Sequence, residues 1–217
     1  VSDPHIQCIP VPGYGYLQSS PEYHMKRLLA ADSGPIYQLC KAYRGGEAGG
    51  HHNPEFTMLE WYRPGFELDA LVEECLALFA ELFPGAPAKS YRFRYLFSDV
   101  TGLDPLTASD SELVTSAESH GAPKGLKKSA AVDYLMATRV EAALPAEQLS
   151  VVTGFPGWAS ALAQTRRDSD GAEVALRLEI YYRGLELANG YQELTDAAEQ
   201  QRRFEQDNRL RRAHGLN

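Results

Sequence analysis

Residues 42–62, AYRGGEAGGHHNPEFTMLEWY, constrain the fold of this chain more than any other stretch. Ile36–Tyr43 reads as a strand, and Arg44 follows it. Gly45, Gly46, Gly49 and Gly50 then allow a tight turn. Glu55–Tyr62 reads as a second strand, so the two predict an antiparallel pair around a glycine-rich loop. The polar content of the pair is what a nucleotide next to a cationic small molecule requires. Arg44 presents a planar fork of donors suited to phosphate. His52 and Asn53 offer polar tips, Phe56 and Trp61 flat apolar faces, and Glu55, Glu60 and Tyr62 groups for a cation.

The rest of the chain predicts α+β architecture with an antiparallel sheet rather than a doubly wound parallel one. A short strand is expected over Tyr14–Gln18. Ser20 reads as an N-cap before Pro21, opening a helix to about Ala31. Leu68, Leu71, Val72, Cys75, Leu76, Phe79, Leu82 and Phe83 recur at helical spacing, and Pro84–Gly85 ends that helix. Residues 93–143 read as mostly helical, with turns near Gly102–Pro105 and Gly121–Gly125. Strands follow at Leu149–Thr153, Val174–Tyr182 and Leu185–Leu194. Asp196 and Glu199 predict a capping box for a last helix to about Ala213.

A chain of 217 residues, 44% hydrophobic and 23% charged, can bury one real core and is not of disordered composition. The net charge of −8 argues against a general nucleic-acid binder. Cys8, Cys40 and Cys75 show no paired or metal-like spacing and read as reduced thiols, which predicts a cytoplasmic setting. No apolar run suits a membrane, so no membrane partner is expected. His51 and His52 have no third ligand at metal-site spacing, which favours a bland reading.

Glu179 and Glu186 lie about the midpoint of a turn at Tyr182–Arg183, which predicts that they face each other across a hairpin. Like charges so placed repel, and Mg²⁺ bridging ATP phosphates would neutralise them. Two exposed glutamates near a turn are the bland alternative. Glu186 and Glu193 have opposite strand parity, so a bulge at Ala188-Asn189-Gly190 is expected to bring them to one face.

The loop and its second strand resemble motif 2 of the class II aminoacyl-tRNA synthetases. HNPEFTMLEWY resembles most the branch of elongation factor P–(R)-β-lysine ligases, paralogues of lysyl-tRNA synthetase. SSPEYHMKRLL (19–29), GLELANGYQELTDA (184–197) and RRFEQDNRLRRAHGL (202–216) agree in order. The resemblance is weakest over 86–172. It implies one synthetase-like catalytic domain over 1–217, incomplete at both ends, with a mostly helical insertion at about 86–148. The family's motif 1 would precede this stretch and motif 3 would follow it.

The resemblance also implies roles. Arg44 would hold the ATP α-phosphate and serve catalysis. Glu47, His52, Asn53, Phe56, Glu186 and Leu187 would complete the ATP contacts, with Phe56 stacked on adenine. Glu179 and Glu186 would hold Mg²⁺. Ser20, Glu22, Glu60, Tyr62, Asn189, Tyr191 and Glu193 would surround lysine or β-lysine, with Glu193 on the side-chain ammonium and Glu22 and Glu60 on the other amine. Three readings stay open. The first is ATP-dependent activation of (R)-β-lysine and its transfer to a lysine of elongation factor P, with no tRNA and with a homodimer if motif 1 is present. The second is the catalytic core of a lysyl-tRNA synthetase. The third is a non-catalytic shortened relative that binds nucleotide or a partner. Trp61 and the last helix favour the ligase.

Overall fold

In the computed structural model, the described residues are 6–46, 49 and 52–213. They form two compact units, Val1–Phe66 with Asp196–Asn217, and Glu67–Thr195.

In the first unit, β1 (Pro10–Val11) and β2 (Gly15–Tyr16) form a small hairpin, shorter than the expected strand. Helix α1 (Glu22–Ala30) follows. Ser20 Oγ accepts the Glu22 backbone N–H at 3.0 Å, so the serine satisfies one of the orphan donors of the first turn. Met25 is the apolar anchor of α1, 2% exposed. Strands β3 (Ile36–Tyr43) and β4 (Glu55–Tyr62) pair antiparallel without a break, from Ile36↔Tyr62 to Tyr43↔Glu55. This is the strand–loop–strand read from the sequence.

The second unit opens with α2 (Leu68–Leu82), as its apolar spacing predicts. Then come β5 (Ala88–Arg92), α3 (Phe93–Thr101), α4 (Asp110–Ser119) and α5 (Lys128–Leu135). A π-helical turn at Met136–Val140 runs on into the short α6 (Glu141–Ala143). Gly102 ends α3 in the left-handed region, at φ 74°, which a residue without Cβ adopts at little cost. A reciprocal capping box of Ser109 and Glu112 starts α4.

Strands β6 (Leu149–Thr153), β7 (Thr165–Arg167), β8 (Glu173–Ala175), β9 (Arg177–Tyr182) and β10 (Leu185–Tyr191) complete the unit. The main sheet has the order β10-β9-β6-β5. Its β6–β9 and β9–β10 pairs are antiparallel, and β5–β6 is parallel. The sheet is therefore mixed at one edge, within α+β architecture. The long strand expected over Val174–Tyr182 is split at Leu176, with β8 pairing β7 instead.

Side chains alternate across this sheet. On one face, Val152 and Tyr181 join a core with Phe93, Phe97, Leu113, Val132, Leu135, Val140 and Phe155 from the helical segment and the loop after β6. Phe93 packs on Phe97 and Phe155 at 5.7 and 4.9 Å between ring centres. On the other face Tyr182 meets Phe83, at 4.7 Å. Gly190 lets α2 approach closely, because a Cβ there would lie 3.2 Å from Leu71 Cδ2. Helix α7 (Ala197–Ala213) belongs to the first unit. Asp196 Oδ1 caps the Glu199 N–H at 2.9 Å, and Arg211 donates to the Ile6 carbonyl at 3.0 Å.

Candidate functional site

The first unit brings one group of the expected residues together on the β3–β4 hairpin. The Arg44 N–H bonds the Pro54 carbonyl at 2.9 Å, which closes the hairpin just beyond its last strand pair. Gly45 donates to the Gln7 carbonyl at 2.7 Å, and a Cβ at Gly45 would lie 3.2 Å from that oxygen. Gly46 sits at φ 77°. The loop thus needs glycine for two separate reasons, close approach and backbone conformation. The Arg44 guanidinium lies 5.2 Å from the centre of the Phe56 ring, and its Nε is 3.4 Å from the Ser19 carbonyl. His52 and Asn53 are exposed at the loop. Glu47 lies outside the described residues, as does His51.

Strand alternation puts Phe56, Glu60 and Tyr62 on one face. Both Glu60 oxygens are held there: Tyr62 Oη donates to Oε1 at 2.7 Å and Ser20 Oγ to Oε2 at 2.8 Å. The carboxylate is fixed in direction by partners from α1's entry and from its own strand. Glu22, 6% exposed, pairs with Lys26 at 2.7 Å. Burial first, then the Glu22 and Asp207 charges, pushes the Tyr23 phenol up to about 12. Glu55 faces the other way and pairs with Lys41 at 3.3 Å.

The second unit gathers the other group on β9 and β10, with a corrected register. The loop is Arg183–Gly184, both at positive φ (53° and 73°), as a primed two-residue turn demands. Glu186 therefore faces Tyr181, and Glu179 faces Asn189; the two glutamates are not directly opposed. The register then shifts between Glu186 and Ala188, so the irregularity falls at Leu187. The ladder is regular through Gly190, where the bulge had been expected. The extra residue at Leu187 does change parity, but Glu193 lies beyond the paired strand, so the ladder does not bring it to the face of Glu186. Glu179, Tyr181, Glu186, Asn189 and Tyr191 all share one face.

Asn189 Nδ2 ties the pair, lying 3.3 Å from Glu179 Oε1 and 3.2 Å from Glu186 Oε1. Arg177 also donates to Glu179 Oε1, and Tyr181 Oη to Glu179 Oε2. Glu193 lies beyond β10, bridged to Ala163, and Gln164 Nε2 donates to its carbonyl at 2.9 Å.

A cavity of about 160 Å³ opens on this face. Its walls include Phe93, Phe155, Trp158 and Met136, and its polar lining includes Arg177, Glu179, Glu186 and Glu141. Burial, then the Glu179 charge, pushes the Glu141 carboxyl up. The same two causes push Glu186 up to about 7, with Asn189 acting against them. Glu186 is water-exposed at the strand surface, so crowding by like charge is the cause that its geometry supports most directly. Tyr181, buried beside three carboxylates, is held well above the ordinary phenol range.

The sign of the resulting pH dependence is fixed. A carboxyl whose folded pKa lies above its unfolded one binds more protons when folded. Its contribution to stability is present below about 4.5 and is lost as pH rises towards 7. In the metal-free protein, a ¹³C titration of Glu186 is expected to centre above the ordinary glutamate range, and added Mg²⁺ to move it down. An ordinary glutamate midpoint without metal would contradict the crowding.

The pair fits a divalent cation held jointly with a ligand. Mg²⁺ is commonly bound through one or two carboxylates plus substrate phosphates, not by an all-protein cage. Among the described residues no cluster of three His, Cys, Asp or Glu side chains suits a metal by itself. Sequence reasoning missed Arg177, Tyr181 and Glu141. Strand parity with Glu179 could have found the first two. Glu141 carries no such signal.

The model of the class II tRNA synthetases (D, K and N) matches residues 6–214. An elongation factor P–(R)-β-lysine ligase of Mannheimia succiniciproducens is 46% identical over 203 residues, 93% of this chain and 62% of the relative. Those of Haemophilus ducreyi and Pseudoalteromonas translucida are 47% and 48% identical, covering 62% and 63% of their lengths. The chain thus spans a little over three fifths of the relatives it matches. The match over 6–214 includes both the glycine-looped hairpin and the tied glutamate pair, and with it the chain belongs to the class II tRNA synthetase family of the D, K and N group.

Proposed function

We propose that the protein carrying this chain is an ATP-dependent ligase. It activates (R)-β-lysine as an aminoacyl-adenylate and transfers it to a lysine of elongation factor P. Relatives at 46–48% identity that are elongation factor P–(R)-β-lysine ligases support this choice of substrates. The observation that carries the chemistry is the Leu187 irregularity, which turns Glu179, Glu186 and Asn189 to one face. In this reading residues 1–217 are part of one catalytic domain, with a helical insertion at about 86–148. The full-length protein is a cytoplasmic homodimer that needs no tRNA. No helix among the described residues is long and apolar enough to cross a membrane.

In the first step an oxygen of the amino-acid carboxylate attacks the α-phosphorus, and the bond to pyrophosphate breaks with its electron pair leaving on pyrophosphate. Arg44, as a fixed cation, stabilises charge building on the α-phosphoryl oxygens. Phe56 offers the adenine a flat face, with Glu47, His52, Asn53 and Leu187 as further ATP contacts. Glu179 and Glu186 would hold Mg²⁺, which when bound would offset phosphate charge. Ser20 and Tyr62 fix the Glu60 carboxylate for an ammonium. Glu22, Asn189, Tyr191 and Glu193 complete the recognition of the diamine. In the second step a neutral lysine amine of the acceptor attacks the acyl carbon. AMP leaves, an amide forms and the amine gives up a proton to solvent. No covalent enzyme nucleophile is required; positioning and charge stabilisation suffice.

The test is exchange of labelled pyrophosphate into ATP by the full-length protein, with (R)-β-lysine, L-α-lysine or no amino acid. The proposal expects exchange dependent on an amino acid and faster with the β isomer. Exchange supported equally by α-lysine and followed by tRNA charging would replace it with the synthetase reading.

A further inference from the structure

We propose that Glu141 is a positioning residue for the Glu179/Glu186 pair, aimed there by the π-helical turn that precedes it. The inference rests on the reading of that pair as the holder of a divalent cation.

The helical run from Lys128 to Ala143 is not uniform. Its α geometry is broken at Met136–Val140, where the backbone N–H of Glu141 bonds the Met136 carbonyl, five residues back. In an α-helix the residue stacked one turn beyond Met136 would be Val140. The π turn puts Glu141 there instead. Met136 and Glu141 both line the cavity, while Val140 is fully buried in the apolar core. A π turn is rare and appears mostly as a single turn, often at a functional site. Here its effect is specific: it exchanges a core valine for a carboxylate at the cavity wall.

What that carboxylate meets is equally specific. Glu141 Oε1 lies 3.4 Å from Tyr181 Oη, and Tyr181 donates to Glu179 Oε2. Arg177 and Asn189 engage the other Glu179 oxygen. Glu141 thus stands beside the phenol that orients Glu179, and with Asp133, Glu179 and Glu186 it makes four carboxylates against one arginine in the cavity lining. A side chain kept only for stability would not be a carboxylate beside two others, since like charges close together oppose folding. The arrangement instead raises the pull on a cation.

Mn²⁺ is the probe, with affinity read by electron paramagnetic resonance on the full-length protein. Glu179→Gln, Glu141→Gln and Glu141→Asp are compared with wild type, and metal-free melting is followed in parallel. Wild type is expected to bind one Mn²⁺ at a site that Glu179→Gln removes. Glu141→Gln is expected to weaken it roughly tenfold, with metal-free melting unchanged or raised. Glu141→Asp, which keeps the charge, should recover part of the affinity.

Wild-type affinity in Glu141→Gln would overturn the proposal. So would weakened binding accompanied by a fall in metal-free melting in both Glu141 variants, because that is a structural role. A wild type without a Mn²⁺ site, or with one that survives Glu179→Gln, would instead remove the cation reading of the pair, and this proposal with it.

Discussion

Replacing Arg44 with alanine is expected to slow adenylate formation by about 10²- to 10³-fold while leaving the protein folded. The reasoning separates what the side chain does for the fold from what it offers a ligand. Its own contacts are few: a stack at 5.2 Å on Phe56 and a long 3.4 Å approach to the Ser19 carbonyl. A partly exposed cation–π contact of this kind contributes roughly 0.5–1 kcal/mol, so melting should fall only slightly. The hairpin does not depend on the guanidinium, because the Arg44 backbone N–H makes the closing bond to Pro54. Arg44→Lys keeps the charge but loses the planar fork, and it should restore little of the rate. Single-turnover adenylate formation and thermal unfolding measured together check this. A large loss of stability, or near-normal adenylate formation in the alanine variant, would contradict the assignment.

Phe97→Ala is expected to destabilise the second unit by about 3–5 kcal/mol, the range for removing a fully buried aromatic ring. Phe97 is 0% exposed and stacks on Phe93, which in turn packs on Phe155. That cluster also holds Val132, Leu135, Met136 and Val140, the residues that seat the π turn. Loss of the ring should therefore loosen the wall that carries Glu141 as well as lower stability. Urea unfolding followed by circular dichroism reads the first effect. A change below about 1 kcal/mol would mean that the core relaxes into the space, contrary to its close packing.

How much of this was legible in the sequence depended on local signals. The β3–β4 hairpin was, because eight paired positions flank a loop punctuated by glycine. Helix α2 was, because its apolar residues keep a helical period. Of the residues that the resemblance named, strand alternation puts Phe56, Glu60 and Tyr62 on one face of their hairpin, and Glu179, Glu186, Asn189 and Tyr191 on one face of theirs. Strand β5 was not seen, since AKSYR is an edge strand with mostly exposed side chains and no apolar alternation.

The β9–β10 turn was misplaced by one residue, which shifts the register by two, so that Glu186 pairs Tyr181 and not Glu179. The expected turn at Tyr182–Arg183 ignored Gly184, although a primed turn calls for positive φ at both central positions. That error opposed Glu179 to Glu186, where the real register opposes each to a neutral partner, Asn189 and Tyr181. A parity change was expected from the conflict between Glu186 and Glu193, but at Ala188-Asn189-Gly190 rather than at Leu187. Glu141 was invisible for a deeper reason. A single π turn changes the facing of one residue without leaving a periodic trace.

The measurement that bears most directly on the account is the intact mass of elongation factor P after incubation with the full-length protein, Mg-ATP and (R)-β-lysine. Parallel reactions use L-α-lysine and lysine tRNA. The account predicts a gain of one lysyl group on the factor, greater with the β isomer, and no charged tRNA. An unchanged factor together with aminoacylated tRNA would contradict it.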